Sequence, residues 1–282
     1  MSRKNIFEMV AEVFDLPKEL ARMRRLFEQE LIVGYNYGRR ASVLDYVKKE
    51  GFSGWKNRGR CVDVDDYFSL LDYKVLWATA VGDLGALLTL IEIVYNFWYI
   101  TDRKTSLRCL QASDGWDFVL LKKIMDECLA QYNYKGKYFP ELQQLIVIED
   151  KPEATAVAEI VESNLSHKVL RYNHYVLKGN LQAKKDILLA LGADLEPKRD
   201  QIKALDAKLE DGIFYILNNL HLRHNNKTEG DKWFKQAVAD MDNATLEYWY
   251  DELYQMMLLA YLQLDQVERN KNVKLLKQTI TP

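Results

Sequence analysis

The chain has 282 residues, 48% of them hydrophobic and 28% charged, with a formal net charge of −2. These proportions exclude a disordered chain and a globally basic nucleic-acid coat, while leaving room for a local basic patch. Seventeen tyrosines, ten phenylalanines and six tryptophans supply ring surface for a filled core and for contact with partners.

Helices are expected over 4–14, 17–31, 41–50, 65–80, 83–103 and 116–132, an N-terminal helical region of mixed regularity spanning 1–135. The opening Met-Ser-Arg-Lys-Asn leads into no apolar signal segment. The longest apolar stretch, 84–100, is interrupted by Thr89, Glu92 and Asn96 and falls short of the roughly 20 residues that span a bilayer. It reads as a buried central helix, so no membrane contact is expected. Cys61, Cys109 and Cys128 are widely spaced and form no CxxC pair, which argues against a zinc ribbon or a disulfide framework. The expected compartment is the cytoplasm.

Residues 34–60 hold Gly34, Gly38, Gly51, Gly54 and Gly59 and read as an irregular connection. Arg39, Arg40, Lys48, Lys49, Lys56, Arg58 and Arg60 outnumber Asp45 and Glu50 there, with Tyr35, Tyr37, Tyr46, Phe52 and Trp55 interleaved. Cations for phosphates beside rings for bases make Arg39, Arg40, Trp55, Lys56, Arg58 and Arg60 candidate RNA contacts. The alternative is a solvated loop whose rings pack inward. Asp63, Asp65 and Asp66 follow, either as helix caps or as a cation site.

The stretch 136–152, with Gly136, Pro140 and Pro152, is the expected boundary. Within it, 145–148 reads equally as a lone strand or a helix turn. Beyond it, 153–282 reads as an antiparallel helical bundle, which makes the fold class all-α. Val157, Val161, Leu165, Val169, Tyr172 and Val176 mark one long amphipathic helix. A break at Gly179-Asn180 precedes a second helix that stops at Gly192. Pro197 starts a third, with Ile202, Leu205, Leu209, Ile213, Ile216 and Leu220 on its buried side. Asp231 caps a short fourth, and the fifth begins near Asn243.

No GxGxxG, GxxxxGK[ST], GxSxG or HExxH motif occurs. The four histidines, His167, His174, His221 and His224, could in principle hold a transition metal, but ordinary surface or core roles account for them, and no metal or cofactor is expected. The densest chemistry is the run 218–226, Asn-Asn-Leu-His-Leu-Arg-His-Asn-Asn. Asn219 and Arg223 stand one helical turn apart, and His221 and His224 share a turn. Arg offers a planar fork for phosphate, and His titrates near neutrality. With Asn218, Asn225 and Asn226, the set suits contact with an RNA backbone. It equally suits a hydrogen-bonded corner at a helix end, where Arg and His answer the helix dipole.

This run, the surrounding helices over about 155–270, and the later Leu-Glu-Tyr-Trp-Tyr-Asp-Glu-Leu-Tyr segment resemble HEPN-type domains of prokaryotic abortive-infection and toxin–antitoxin proteins. The resemblance implies a helical RNA-directed protein of phage defence. It also implies a homodimer and, where the site is complete, a metal-independent endoribonuclease. His224 or His221 would then move protons, with Arg223 and Asn219 at the phosphate. The chain departs from the family pattern in carrying Asn219 where the motif has Arg. The other reading is a non-enzymatic scaffold that binds a protein partner through its Tyr- and Trp-rich helices.

Overall fold

A computed structural model describes residues 14–29, 31–33, 39–104 and 118–280. The chain is mostly helical, with two short antiparallel hairpins that the all-α expectation lacked. It divides into two compact units, Met1–Asp150 and Lys151–Pro282. Residues 4–13 of the helix expected over 4–14, and the cysteine at 109, lie outside the described residues.

In the first unit, α1 (Leu16–Glu28) begins where the Asp15 carboxylate accepts from Lys18 N–H at 3.3 Å and Pro17 occupies the first turn. Leu31–Val33 (β1) pairs antiparallel with Arg39–Ala41 (β2). Ser42 and Asp45 form a reciprocal capping box for α2 (Val43–Tyr46), which runs on as a π-helix over Val47–Gly51. A Cβ on Gly51 would stand 2.5 Å from Ile100 Cγ2, so this approach requires glycine.

The helix expected over 65–80 is two helices, α3 (Val64–Leu71) and α4 (Tyr73–Thr79). They part at Asp72, whose backbone is left-handed (φ 46°, ψ 54°). Asp63 caps α3 by accepting from Asp66 N–H at 2.8 Å. The central helix, α5 (Leu84–Lys104), buries residues on every side, Leu87, Leu90, Ile91, Val94 and Phe97 among them, because the unit wraps around it. Phe97 meets five other rings, those of Phe27, Phe52, Trp55, Tyr67 and Phe68, at 5.4–6.4 Å between centroids. No helix among the described residues is long and apolar enough to cross a membrane.

After α6 (Phe118–Gln131), the stretch read as a boundary forms a hairpin, β3 (Tyr134–Phe139) with β4 (Gln144–Glu149). Residues 145–148 are therefore a paired strand. Their outward edge is closed by α5. Asn96 accepts from Leu145 N–H at 2.8 Å and donates to Leu145 O at 2.9 Å, and Glu92 accepts from Val147 N–H at 2.8 Å. An open strand edge is thereby hidden.

The second unit opens with α7 (Pro152–Ile160) and α8 (Ser163–Arg171), where one long helix was expected. Val161 and Glu162 are extended (ψ 164° and 153°) and break the helix, while Val157, Leu165, Val169 and Tyr172 of the stripe are buried on both sides of the corner. Val176 lies in the 3-10 turn Tyr175–Leu177 and is exposed. Asn180 caps α9 (Leu181–Leu195). This helix continues through Gly192, because that residue serves packing: a Cβ there would sit 3.0 Å from Leu217 Cδ1.

The helix expected from Pro197 is also divided, into α10 (Arg199–Leu205) and α11 (Ala207–Asn219). Extended Asp206 separates them and caps α11, accepting from the N–H groups of Lys208 and Leu209. The helix at Asp231 shrinks to α12 (Gln236–Ala239). The last helix, α13 (Asn243–Ile280), starts at the expected residue and packs on α7, α9, α10 and α11. At 38 residues it is about 57 Å long at 1.5 Å per residue.

Candidate functional site

Helix α11 ends at Asn219, five residues short of His224, the last position the spacing argument needs. His221 and His224 lie beyond it and share no helix face. His221 instead takes the left-handed conformation (φ 57°) usual for glycine just past a helix C-terminus. Both of its backbone groups are held: its N–H donates to Asn226 Oδ1 at 2.8 Å, and its carbonyl accepts from Lys185 Nζ of α9 at 2.6 Å. Arg223 N–H folds back onto Leu217 O at 3.0 Å.

Asn226 organises the loop that follows. It is fully buried, donates from Nδ2 to Trp233 O at 2.8 Å, and accepts from Lys235 N–H through its own carbonyl at 3.0 Å. Asn225 Oδ1 accepts from Thr228 N–H and Oγ1 in a side-chain turn. Asn219 donates to Tyr215 O at 2.8 Å and accepts from Lys235 Nζ at 2.5 Å. Asn218 is half-buried near the end of α11.

Arg223 pairs with Glu196 and lies 5.5 Å from the centre of the Phe214 ring. Arg199 stands 4.3 Å from the same ring and pairs with the buried Glu210. The two guanidiniums and two carboxylates tie the corner to the start of α10.

The imidazoles do different work. His221 has its Nδ1 buried without a hydrogen-bond partner. Burial first, then the nearby Lys185 and Lys227 ammoniums, pull its pKa below the usual histidine value. Burial also lowers Lys185, against the opposing pull of Asp186. His224 stacks on Trp233, centroids 4.2 Å apart at 15°. That indole is 44% exposed, and Lys232 Nζ is 4.9 Å from its centre.

The loop over 221–235 therefore presents a backed aromatic face with Lys232 beside it, while the ammoniums of Lys185, Lys227 and Lys235 donate to His221 O, Met241 O and Asn219 Oδ1. Sequence reading missed Trp233 and these lysines. The signal was there in Asp-Lys-Trp-Phe-Lys at 231–235, but it was absorbed into an expected helix.

The basic segment 39–60 is arranged otherwise. Trp55 is buried and its Nε1–H donates to Gln143 O at 3.4 Å, while Phe52 is 2% exposed. These rings pack inward. Arg58 donates to Cys61 O at 2.9 Å, and Lys48 pairs with Asp65 at 2.8 Å. Lys56 and Arg60 face solvent. Arg39 and Arg40 sit in β2, but their side chains, like residues 35 and 37, lie outside the described residues.

His167 lies on α8, and His174 caps the 3-10 turn after it by accepting from Val176 N–H at 3.3 Å. Among the described residues, no group of three or more His, Cys, Asp or Glu could hold a metal ion. No known family, curated protein or solved structure matches this chain.

Proposed function

We propose that the second unit is a HEPN-like antiparallel helical domain of prokaryotic phage defence that binds RNA through the loop 221–235, and that it holds RNA there without cutting it. The observation that carries this reading is the exposed Trp233 ring, backed by His224 at 4.2 Å and with Lys232 Nζ 4.9 Å from its centre. An unpaired base stacked on such a ring contributes about 1–3 kcal/mol, and Lys232 answers an adjacent phosphate.

Cleavage would need a proton-transfer group and a phosphate-stabilising group meeting at one phosphate. Arg223 is committed to Glu196, and Asn219 is hydrogen-bonded through both ends of its amide.

The test is fluorescence anisotropy with a labelled single-stranded RNA at low salt. Wild type binds, Trp233→Ala weakens binding about tenfold, and Lys56→Ala changes nothing. No binding by wild type, or equal binding by Trp233→Ala, overturns the reading. RNA cleavage in EDTA that His224→Ala abolishes would favour the endoribonuclease instead.

A second reading, a non-enzymatic scaffold for a protein partner, is favoured by the end of α13. Residues 266–280 are exposed on every side, Val273, Leu275, Leu276 and Ile280 included. It gains if RNA binding is absent while Leu276→Glu alters the sedimentation of the purified chain.

A further inference from the structure

The first unit holds a cleft that RNA binding does not use. It is formed by α1, α2 with its π-helical extension, α3 and α4, and it encloses about 470 Å³. That is within the range of small-ligand sites. One wall is a continuous ring surface. Phe68 and Tyr73 stack at 4.0 Å and 10°, and Trp77 stands edge-on to Tyr73 at 5.8 Å and 82°. Arg24 lies 5.9 Å from the centre of the Trp77 ring.

The charges at the rim fall into two sets. Arg24 pairs with Glu28 at 3.2 Å and Lys48 with Asp65 at 2.8 Å, so these four answer one another. Lys74 and Asp72 are exposed and make no hydrogen bond or ion pair through their side chains with any described residue. They are one cation and one anion, on either side of Tyr73.

Asp72 is also the residue held left-handed between two helices, with its N–H shared between Phe68 O and Ser69 O. Two polar groups of the ring wall are unanswered as well. Tyr73 Oη and Trp77 Nε1 are buried, on rings 7% and 6% exposed, and neither has a hydrogen-bond partner of good geometry. Buried donors left open are uncommon, and each is costly.

We propose that this cleft binds a free α-amino acid as its zwitterion, with the carboxylate on Lys74, the ammonium on Asp72 and the side chain on the Phe68–Tyr73–Trp77 wall. A simple anion or cation would leave one rim charge unanswered, and a neutral apolar molecule would leave both. A zwitterion with an apolar body answers the two charges and covers the rings together.

The test is isothermal titration of the full chain with each of the standard amino acids at millimolar concentration. Every amino acid that binds is compared with its deaminated acid and its decarboxylated amine. At least one amino acid is expected to bind, with both analogues at least tenfold weaker.

Asp72→Asn and Lys74→Met are each expected to weaken binding at least tenfold, and Lys123→Met to leave it unchanged. Asn tolerates the left-handed backbone, so Asp72→Asn keeps the junction; circular dichroism checks both variants. The proposal is overturned if no amino acid binds, if an analogue lacking either charge binds as well, or if both cleft variants bind like wild type.

Discussion

Asn226 Oδ1 accepts the amide N–H of His221 at 2.8 Å, and that one bond holds a histidine in a backbone conformation suited to glycine. The opposite end of the same carboxamide fixes Trp233 O. Asn226 thus ties together the backbone at His221 and Trp233, on either side of the loop that carries the His224–Trp233 pair, although it has no exposure of its own.

Asn226→Ala leaves two part-buried backbone groups, His221 N–H and Trp233 O, without their partner. A fully buried group left open costs about 1–3 kcal/mol, so two part-buried ones should cost the second unit at least about 1 kcal/mol. Urea unfolding measures it, and a loss below about 0.5 kcal/mol would show that the loop does not depend on this residue.

The left-handed backbone at His221 makes a second expectation. His221→Val should be less stable than His221→Gly by about 1 kcal/mol or more, since a β-branched residue resists φ near 57° and glycine does not. Equal midpoints for the two variants would contradict the conformation.

Glu247 sets an acid limit on the second unit. Burial pushes its carboxyl up, but the Lys184 ammonium and the Gly179 N–H outweigh that, and its pKa lies below the ordinary 4.5. Lys184 is buried between Glu247 and Asp251, 2.7 Å from each, and Asp251 also accepts from Tyr172 Oη. A carboxyl with a depressed folded pKa contributes stability in full above its unfolded value. That contribution is lost as pH falls from about 4.5 through the folded value. Denaturation midpoints followed from pH 6 to 3 should drop in that window, and Glu247→Gln should flatten the drop. An unchanged slope in the variant would remove Glu247 from the account.

His221 acts higher on the pH scale. Its folded pKa is depressed, so the unfolded chain takes up the proton first, and stability declines as pH falls below about 6.5. Comparing His221→Gly with wild type between pH 7.5 and 5.5 isolates this slope. Parallel curves would show that the imidazole titrates alike in both states.

In the first unit, Asn96→Ala opens the edge of β4. Leu145 loses a donor to its carbonyl and an acceptor for its N–H, worth about 1–3 kcal/mol for each buried group left unpaired. Amide exchange at Leu145 should accelerate more than at Ile146, whose backbone faces β3. Equal acceleration at both would mean global unfolding rather than an opened edge.

Much of the architecture was legible in the chain. The helix ranges for α1 and the buried α5, the break at Gly179-Asn180 and the start of α13 were legible, because apolar periodicity and helix-breaking residues are local properties. The breaks at Asp72, Val161-Glu162 and Asp206 were not. There apolar residues continue on both sides while the backbone turns, and the turn is made at residues already counted as helical, with Asp206 capping the helix that follows. Gly192 was legible as a glycine and misread as a stop; its small size serves Leu217 on another helix.

The sequence by itself determined a mostly helical chain with a central apolar helix and a dense polar run at 218–226, since composition and periodicity depend only on neighbours in the chain. Tertiary structure alone decided how the run is held. Glu196 is 27 residues from Arg223, and Lys185 is 36 from His221. Partners that far apart are chosen by how helices pack. Packing holds the run in a hydrogen-bonded corner and leaves Trp233, outside the run, exposed.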